Sequence, residues 1–280
     1  MLYAGVISLF IVGIVLVLLF VSWQYYLEWR LENPDLPRTR WTAPPLMKPS
    51  MWTRDHGHFA VMQTIACFNW AAFMAWIVWV HLYYQTYLNL TPIHTMLRVL
   101  PMIFTGIAAN ITIAFIIGRI DVVYIVGAFL VSVCLWDDCR RSLSVAFFAA
   151  IGTLMTGCAN IFFAVIDPNA TYWAFGFPSA CLIVLGTEFT YVSGTLFISK
   201  ISLPHEQSVA GALFQAMTKI GSAIGLSVST IVFNSVLRAQ SRHFGVSVDR
   251  KGDNAPMEAQ LKVYKAAMWT GFAFGILCAC

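Results

Sequence analysis

Apolar residues form long uninterrupted runs in this sequence, and most polar residues lie in short stretches between them. A helix that crosses a bilayer needs about 20 consecutive apolar residues. Such runs occupy residues 2–23, 59–82, 95–117, 171–199 and 207–236. Lipid accommodates apolar surface that a soluble core of this size could not bury, so the pattern predicts an all-α polytopic membrane protein.

The composition supports this prediction and argues against soluble-enzyme chemistry. Hydrophobic residues make up 59% of the 280 residues and charged residues 11%, which is about half the charged share of a soluble domain. The sequence contains no Gly-rich phosphate loop, no HExxH and no GxSxG motif, and its seven cysteines lack metal-site spacing. We therefore predict that the chain is not an enzyme, needs no cofactor or metal, and does not bind nucleic acid.

Residues 24–58 are predicted to be a linker. They hold five prolines, which forbid a continuous helix. Basic residues are frequent in this stretch, which indicates the cytoplasmic side of the membrane. The first apolar run, residues 1–23, has no basic leader and no small-residue cleavage site, so we expect an isolated transmembrane span followed by a Pro-rich linker and a bundle at 59–280.

The fourth apolar element is interrupted, and two interpretations remain open. Residues 122–136 are apolar, the charged stretch DDCRR follows, and uncharged residues then continue to 166. Either two spans flank a charged turn, or one span carries an insertion. Charge placement favours the first, because an extra span puts the basic loop at 238–265 on the cytoplasmic side. The last apolar run, 266–280, is expected to be a truncated span.

The stretch CLIVLGTEFTYVSG, residues 181–194, places Glu188 within a run that is otherwise suited to hydrocarbon. An acid at this depth costs about 2.5–3.5 kcal/mol on insertion scales, so such groups face a cavity or a partner and often mark a transport pathway. Helical spacing puts Tyr191 and Thr195 on the same face. We predict that Glu188 carries a coupled proton and that Tyr191 contributes to the cavity; the alternative is a neutral acid hydrogen-bonded inside the bundle.

Buried amides on four apolar runs are further candidates, because an amide in lipid needs a polar partner. They can join helices or line a cavity; the residues are Asn69, Asn110, Asn160 and Asn234. Asn110 and Asn160 are the two we select for the cavity. Tyr84 is a third cavity candidate, although an interfacial aromatic belt also explains Tyr83, Tyr84 and Tyr87.

The sequence KIGSAIGLS predicts a helix that packs closely against a neighbour. Gly221 and Gly225 have GxxxG spacing, and small residues let helix backbones approach each other in lipid. Lys219, in the same run, is deep enough to need a partner or a wet cavity.

The blocks LRVLPMIFTGIAANITIAFIIGRI, CLIVLGTEFTYVSGTLFIS and LPHEQSVAGALFQAMTKIGSAIGLSVSTIVFNSV, closed by KAAMWTGFAFGIL, resemble the second half of fungal major facilitator superfamily transporters. The nearest type is the fourteen-span drug:proton antiporter, with relatives linked to aminotriazole resistance and to ammonium transport. The resemblance covers residues 59–278. It implies a C-terminal six-helix bundle with one preceding span, alternating access between two halves, and a coupling acid at Glu188.

The resemblance also implies departures from the family pattern. Against the family pattern we expect a C-terminal half without the six N-terminal spans, and residues 128–147 look like an insertion, because joining 122–127 to 148–166 restores one ordinary span. If residues 128–147 are an insertion, the loop after residue 236 lies on the external side, as it does in the family. Charge placement favours the cytoplasmic side, and between the two we adopt the arrangement of the family.

We expect proton-coupled export of small molecules across the plasma membrane rather than the vacuolar membrane. Transport would require a second half-bundle or self-association, and lipid, a small molecule and protons are the expected partners. The alternatives are a half-transporter without transport activity that acts as a membrane interaction partner, and a transporter of ammonium or a small inorganic solute.

Overall fold

The computed structural model describes residues 2–33, 45, 47–53, 57–119, 137–168, 170–243 and 256–279, and this part of the chain contains helices and no strand. The long helices are α1 (Leu2–Glu32), α2 (His58–Leu82), α3 (Pro92–Arg119), α4 (Asp137–Ala164), α5 (Tyr172–Ile201), α6 (Gln207–His243) and α7 (Met257–Ala279). Five segments of them are long and apolar enough to cross a membrane. The predicted all-α polytopic membrane class is confirmed.

The helix ends differ from the predicted boundaries where polar residues continue a helix. α1 extends to Glu32, beyond the predicted end of the first span. α7 has 23 residues, because the polar residues after Met257 are helical and precede the apolar run. The apolar run that begins at residue 266 forms the second part of this helix, and the truncation of the last span stays a prediction.

The predicted insertion at 128–147 falls partly outside the described residues. The backbone is described from Asp137, where α4 begins and continues unbroken to Ala164. The charged stretch DDCRR thus starts a helix. Residues 128–136 lie outside the described ranges, so the choice between two spans and one interrupted span stays a prediction.

The bundle is organised around α2, which packs against α4, α5, α6 and α7. Small residues make the closest approaches possible. A Cβ at Gly221 or at Gly225 of α6 would overlap the carbonyl oxygens of Cys67 and Ala71 on α2. The backbones of α4 and α5 also lie close together, since a Cβ at Gly152 would lie 2.7 Å from the carbonyl oxygen of Gly186. Backbone contact of this kind is typical of helix association in lipid.

Buried polar side chains add directed contacts between the same helices. The indole N–H of Trp76 on α2 donates to Ser179 on α5 at 2.7 Å, and the Ser179 hydroxyl donates to the carbonyl of Ala159 on α4 at 2.8 Å. These bonds tie three helices at one level. In a lipid-facing bundle each such bond also prevents a polar group from being left unsatisfied.

Hydrogen bonds and an ion pair connect the end of α1 to the bundle through residues 47–53. Gln24 accepts a hydrogen bond from the backbone N–H of Met47 at 3.1 Å, and the Glu28 carboxylate accepts from Ser50. Lys48 Nζ lies 2.8 Å from Oε1 of Glu206, whose side chain is only 7% exposed, in the turn between α5 and α6. From Ile11 to Phe20, α1 exposes its apolar side chains, as expected for a lipid-facing helix.

Candidate functional site

A groove of about 750 Å³ opens between four helices of the bundle. Its lining is mostly apolar and aromatic, with a few polar groups, which is the usual character of a small-molecule site. The lining residues are Trp70 and Phe73 from α2; Met102, Ile103, Gly106, Ile107, Asn110 and Ile111 from α3; Val184, Thr187, Glu188 and Tyr191 from α5; and Gln215 from α6.

The acid of the groove is Glu188, which lies in the interior of α5 and not at a helix end. Its side chain is half-buried. Among the described residues it has no hydrogen-bond or ion-pair partner, whereas the threonines on either side bond to their own helix, Thr187 to Ile183 at 2.7 Å and Thr190 to Gly186 at 2.9 Å. The carboxyl group is therefore open to a proton or a bound molecule in the groove.

Tyr191 and Gln215 connect α5 to α6 at the groove wall. The Gln215 amide donates to the Tyr191 hydroxyl oxygen, which leaves the hydroxyl proton free to donate elsewhere. The Tyr191 ring meets the edge of Trp70, with ring centroids 6.4 Å apart. The ammonium of Lys219 lies 5.9 Å from the centre of the same Trp70 ring, within the range of a cation–π contact.

Asn110 lines the groove from α3 and is exposed. Its amide nitrogen donates to the carbonyl of Gly106 one turn earlier, at 2.9 Å. This bond leaves the amide oxygen and one N–H available to a bound molecule. The structure thus brings Asn110, Glu188 and Tyr191 together in one groove.

The structure places Asn160 and Tyr84 away from this groove. Asn160 is fully buried on α4, and its amide nitrogen donates to the Thr156 carbonyl at 2.9 Å. Its amide oxygen packs directly against Gly271 of α7. Tyr84 is buried, and Arg98 stacks on its ring at 5.2 Å. Both residues occupy helix contacts, because the faces that carry them turn toward neighbouring helices.

Among the groove residues that the sequence did not single out are the aromatic pair Trp70 and Phe73 and the amide Gln215. Gln215 had a detectable signal, since it is an amide in an apolar run with Lys219 on the next turn. The aromatic pair had none, because α2 contains several other aromatic residues with no feature to separate them. Within the described residues, no three His, Cys, Asp or Glu side chains are grouped so that they could hold a metal ion.

Two curated fungal proteins are similar to this chain. It is 25% identical over 247 residues to MFS-type transporter 1 of Pyricularia oryzae, an alignment that covers 85% of this chain and 36% of that protein. It is 23% identical over 236 residues to an uncharacterised MFS-type transporter of Schizosaccharomyces pombe, covering 84% of this chain and 37% of that protein. No family model matches the chain.

The chain thus spans little more than a third of the length of these relatives. Both relatives carry names of transporters, and the helices around the groove are apolar enough to cross a membrane. The architecture supports an integral membrane protein, and the relatives to which it is similar are named as transporters of the MFS type.

Proposed function

We propose that this chain forms one half of a proton-coupled exporter of small organic molecules, with Glu188 as the proton carrier. The observation that carries the proposal is the Glu188 carboxyl, which lies inside an apolar helix at the wall of an open groove and has no partner among the described residues. An acid placed so can bind a proton from one side of the membrane and release it to the other when the groove changes its access.

The size and chemistry of the groove favour an organic substrate over ammonium. A volume of about 750 Å³ falls in the range of sites for drug-sized molecules. Trp70, Phe73 and Tyr191 present aromatic surface, which binds flat apolar molecules. Ammonium is far smaller than a groove of this volume and would leave most of it unfilled.

The proposal includes a second bundle that faces the groove. α3 packs on α5 and leaves large apolar side chains exposed, among them Phe104 and the groove residues Ile103 and Ile107. Alternating access requires two bundles that rock around a shared site. We assign the complete assembly to the plasma membrane. The exposed face of α3 also favours a second candidate function, a half-transporter that only associates with another membrane protein.

Proton coupling can be tested in proteoliposomes that contain the purified chain, with its second bundle supplied by self-association. An imposed pH gradient should drive uptake of rhodamine B ethyl ester, a flat organic cation, and the dye should in turn drive proton movement reported by trapped pyranine. Glu188→Gln should abolish dye-driven proton movement, because the amide cannot release a proton.

The matched control is Glu258→Gln, the same change at an exposed acid in the first turn of α7. It should leave proton movement unchanged. Proton movement that survives Glu188→Gln would refute its role as carrier. Absence of dye-driven proton movement in the unmodified chain would instead favour the half-transporter without transport activity.

A further inference from the structure

Lys219 is a charged residue within an apolar helix that the proposed proton coupling does not use. It lies in the part of α6 that is long and apolar enough to cross a membrane, and it has no ion-pair partner among the described residues. Ionisable groups at such positions are costly, and they usually face a cavity or a pathway. Its contact with Trp70, a groove residue, places the ammonium at the groove edge.

The helix connectivity puts Lys219 and Glu188 at the same depth. α5 and α6 are antiparallel neighbours joined by a short turn, and the bond between Tyr191 and Gln215 fixes their relative height. Glu188 lies one helical turn from Tyr191, and Lys219 lies one turn from Gln215, both in the direction away from the connecting turn. Each step is about 5 Å along the helix axis. The two charges therefore flank the same level of the groove.

We infer that Lys219 is a substrate-binding residue, and that the groove selects molecules carrying both an anionic group and a cationic or donor group. This inference rests on the proposed transport function and adds a substrate class to it. Glu188 would meet the cationic end, and the Lys219 ammonium, on a long stem with three N–H donors, would meet a carboxylate. Trp70 would hold the aromatic body between them.

The test compares two dyes that differ in one charge. Rhodamine B carries a carboxylate beside its cationic ring system, and its ethyl ester lacks that carboxylate. Binding to the purified full chain in detergent is measured by fluorescence polarisation. The unmodified chain should bind rhodamine B more tightly than the ester by about 10-fold or more, the effect of one charge-assisted hydrogen bond.

Lys219→Met should remove this preference by weakening rhodamine B alone, and Lys219→Arg should keep it, because the charge remains. Lys200→Met, the same change at an exposed lysine in the last turn of α5, should leave both affinities unchanged. Equal melting temperatures of the variants would show that each is folded.

Three results would overturn the inference. If the unmodified chain binds both dyes equally and Lys219→Met changes neither, the lysine does not contact substrate, while dye-driven proton movement would still support the proposed function. If Lys219→Met tightens the ester and leaves rhodamine B unchanged, the lysine only neutralises Glu188. Failure of the unmodified chain to bind either dye would contradict both the substrate class and the proposed function.

Discussion

A methyl group at Gly221 tests how closely α6 packs against α2. In Gly221→Ala the new Cβ would overlap the carbonyl oxygen of Cys67 and lie 2.7 Å from its carbonyl carbon. Carbon atoms in contact are normally about 3.5–4.0 Å apart, so α6 must retreat by about 1 Å and lose roughly a quarter to a half of its dispersion attraction there. Overpacking of this kind lowers the free energy of unfolding by about 1–3 kcal/mol.

Gly211 provides the matched control on the same helix. A Cβ added there meets nothing within 4 Å, and alanine favours a helix over glycine by roughly 1 kcal/mol. Gly211→Ala should therefore be neutral or stabilising. Unfolding of both variants is followed in detergent, by thermal loss of the monodisperse chromatography peak and by titration with sodium dodecyl sulfate. Equal stability of the two variants would refute the close contact between the helices.

Two further predictions concern buried polar contacts. Ser179→Ala removes the acceptor of the Trp76 indole N–H and should lower the free energy of unfolding by about 1–3 kcal/mol, because a buried donor is left unsatisfied. In detergent it should melt at a lower temperature than the control Ser199→Ala, which changes an exposed serine. Equal melting temperatures would contradict a stabilising role for this hydrogen bond. Lys48→Met removes the ammonium 2.8 Å from Glu206 and should speed hydrogen exchange in the segment that carries Lys48. The lost protection against exchange should correspond to more than the free energy of an exposed ion pair, which is about 1 kcal/mol or less. An unchanged exchange rate would contradict a stabilising role for this ion pair.

Length and apolar pattern predicted the helices because lipid requires every backbone polar group to be satisfied within its own segment. That requirement leaves little freedom: α2, α3 and α5 follow the predicted runs with ends that differ by a few residues, and α6 begins where predicted but continues past residue 236 to His243. The ends differ most where polar residues continue a helix, as at the start of α7. Apolar content cannot locate such ends, since it reports burial in lipid and not helix formation.

The groove shows the boundary between what the sequence determined and what the tertiary structure decided. The sequence by itself singled out Glu188 as a candidate, because an acid in hydrocarbon is costly wherever the helix packs, and the structure places it in the groove lining. The sequence could not separate Asn110, which lines the groove, from Asn160, which is buried against α7. Both are amides in apolar helices, and only the rotation and neighbours of each helix decide whether the side chain meets open space or another backbone. The same packing brought Gln215 to Tyr191, a contact that no local pattern specifies.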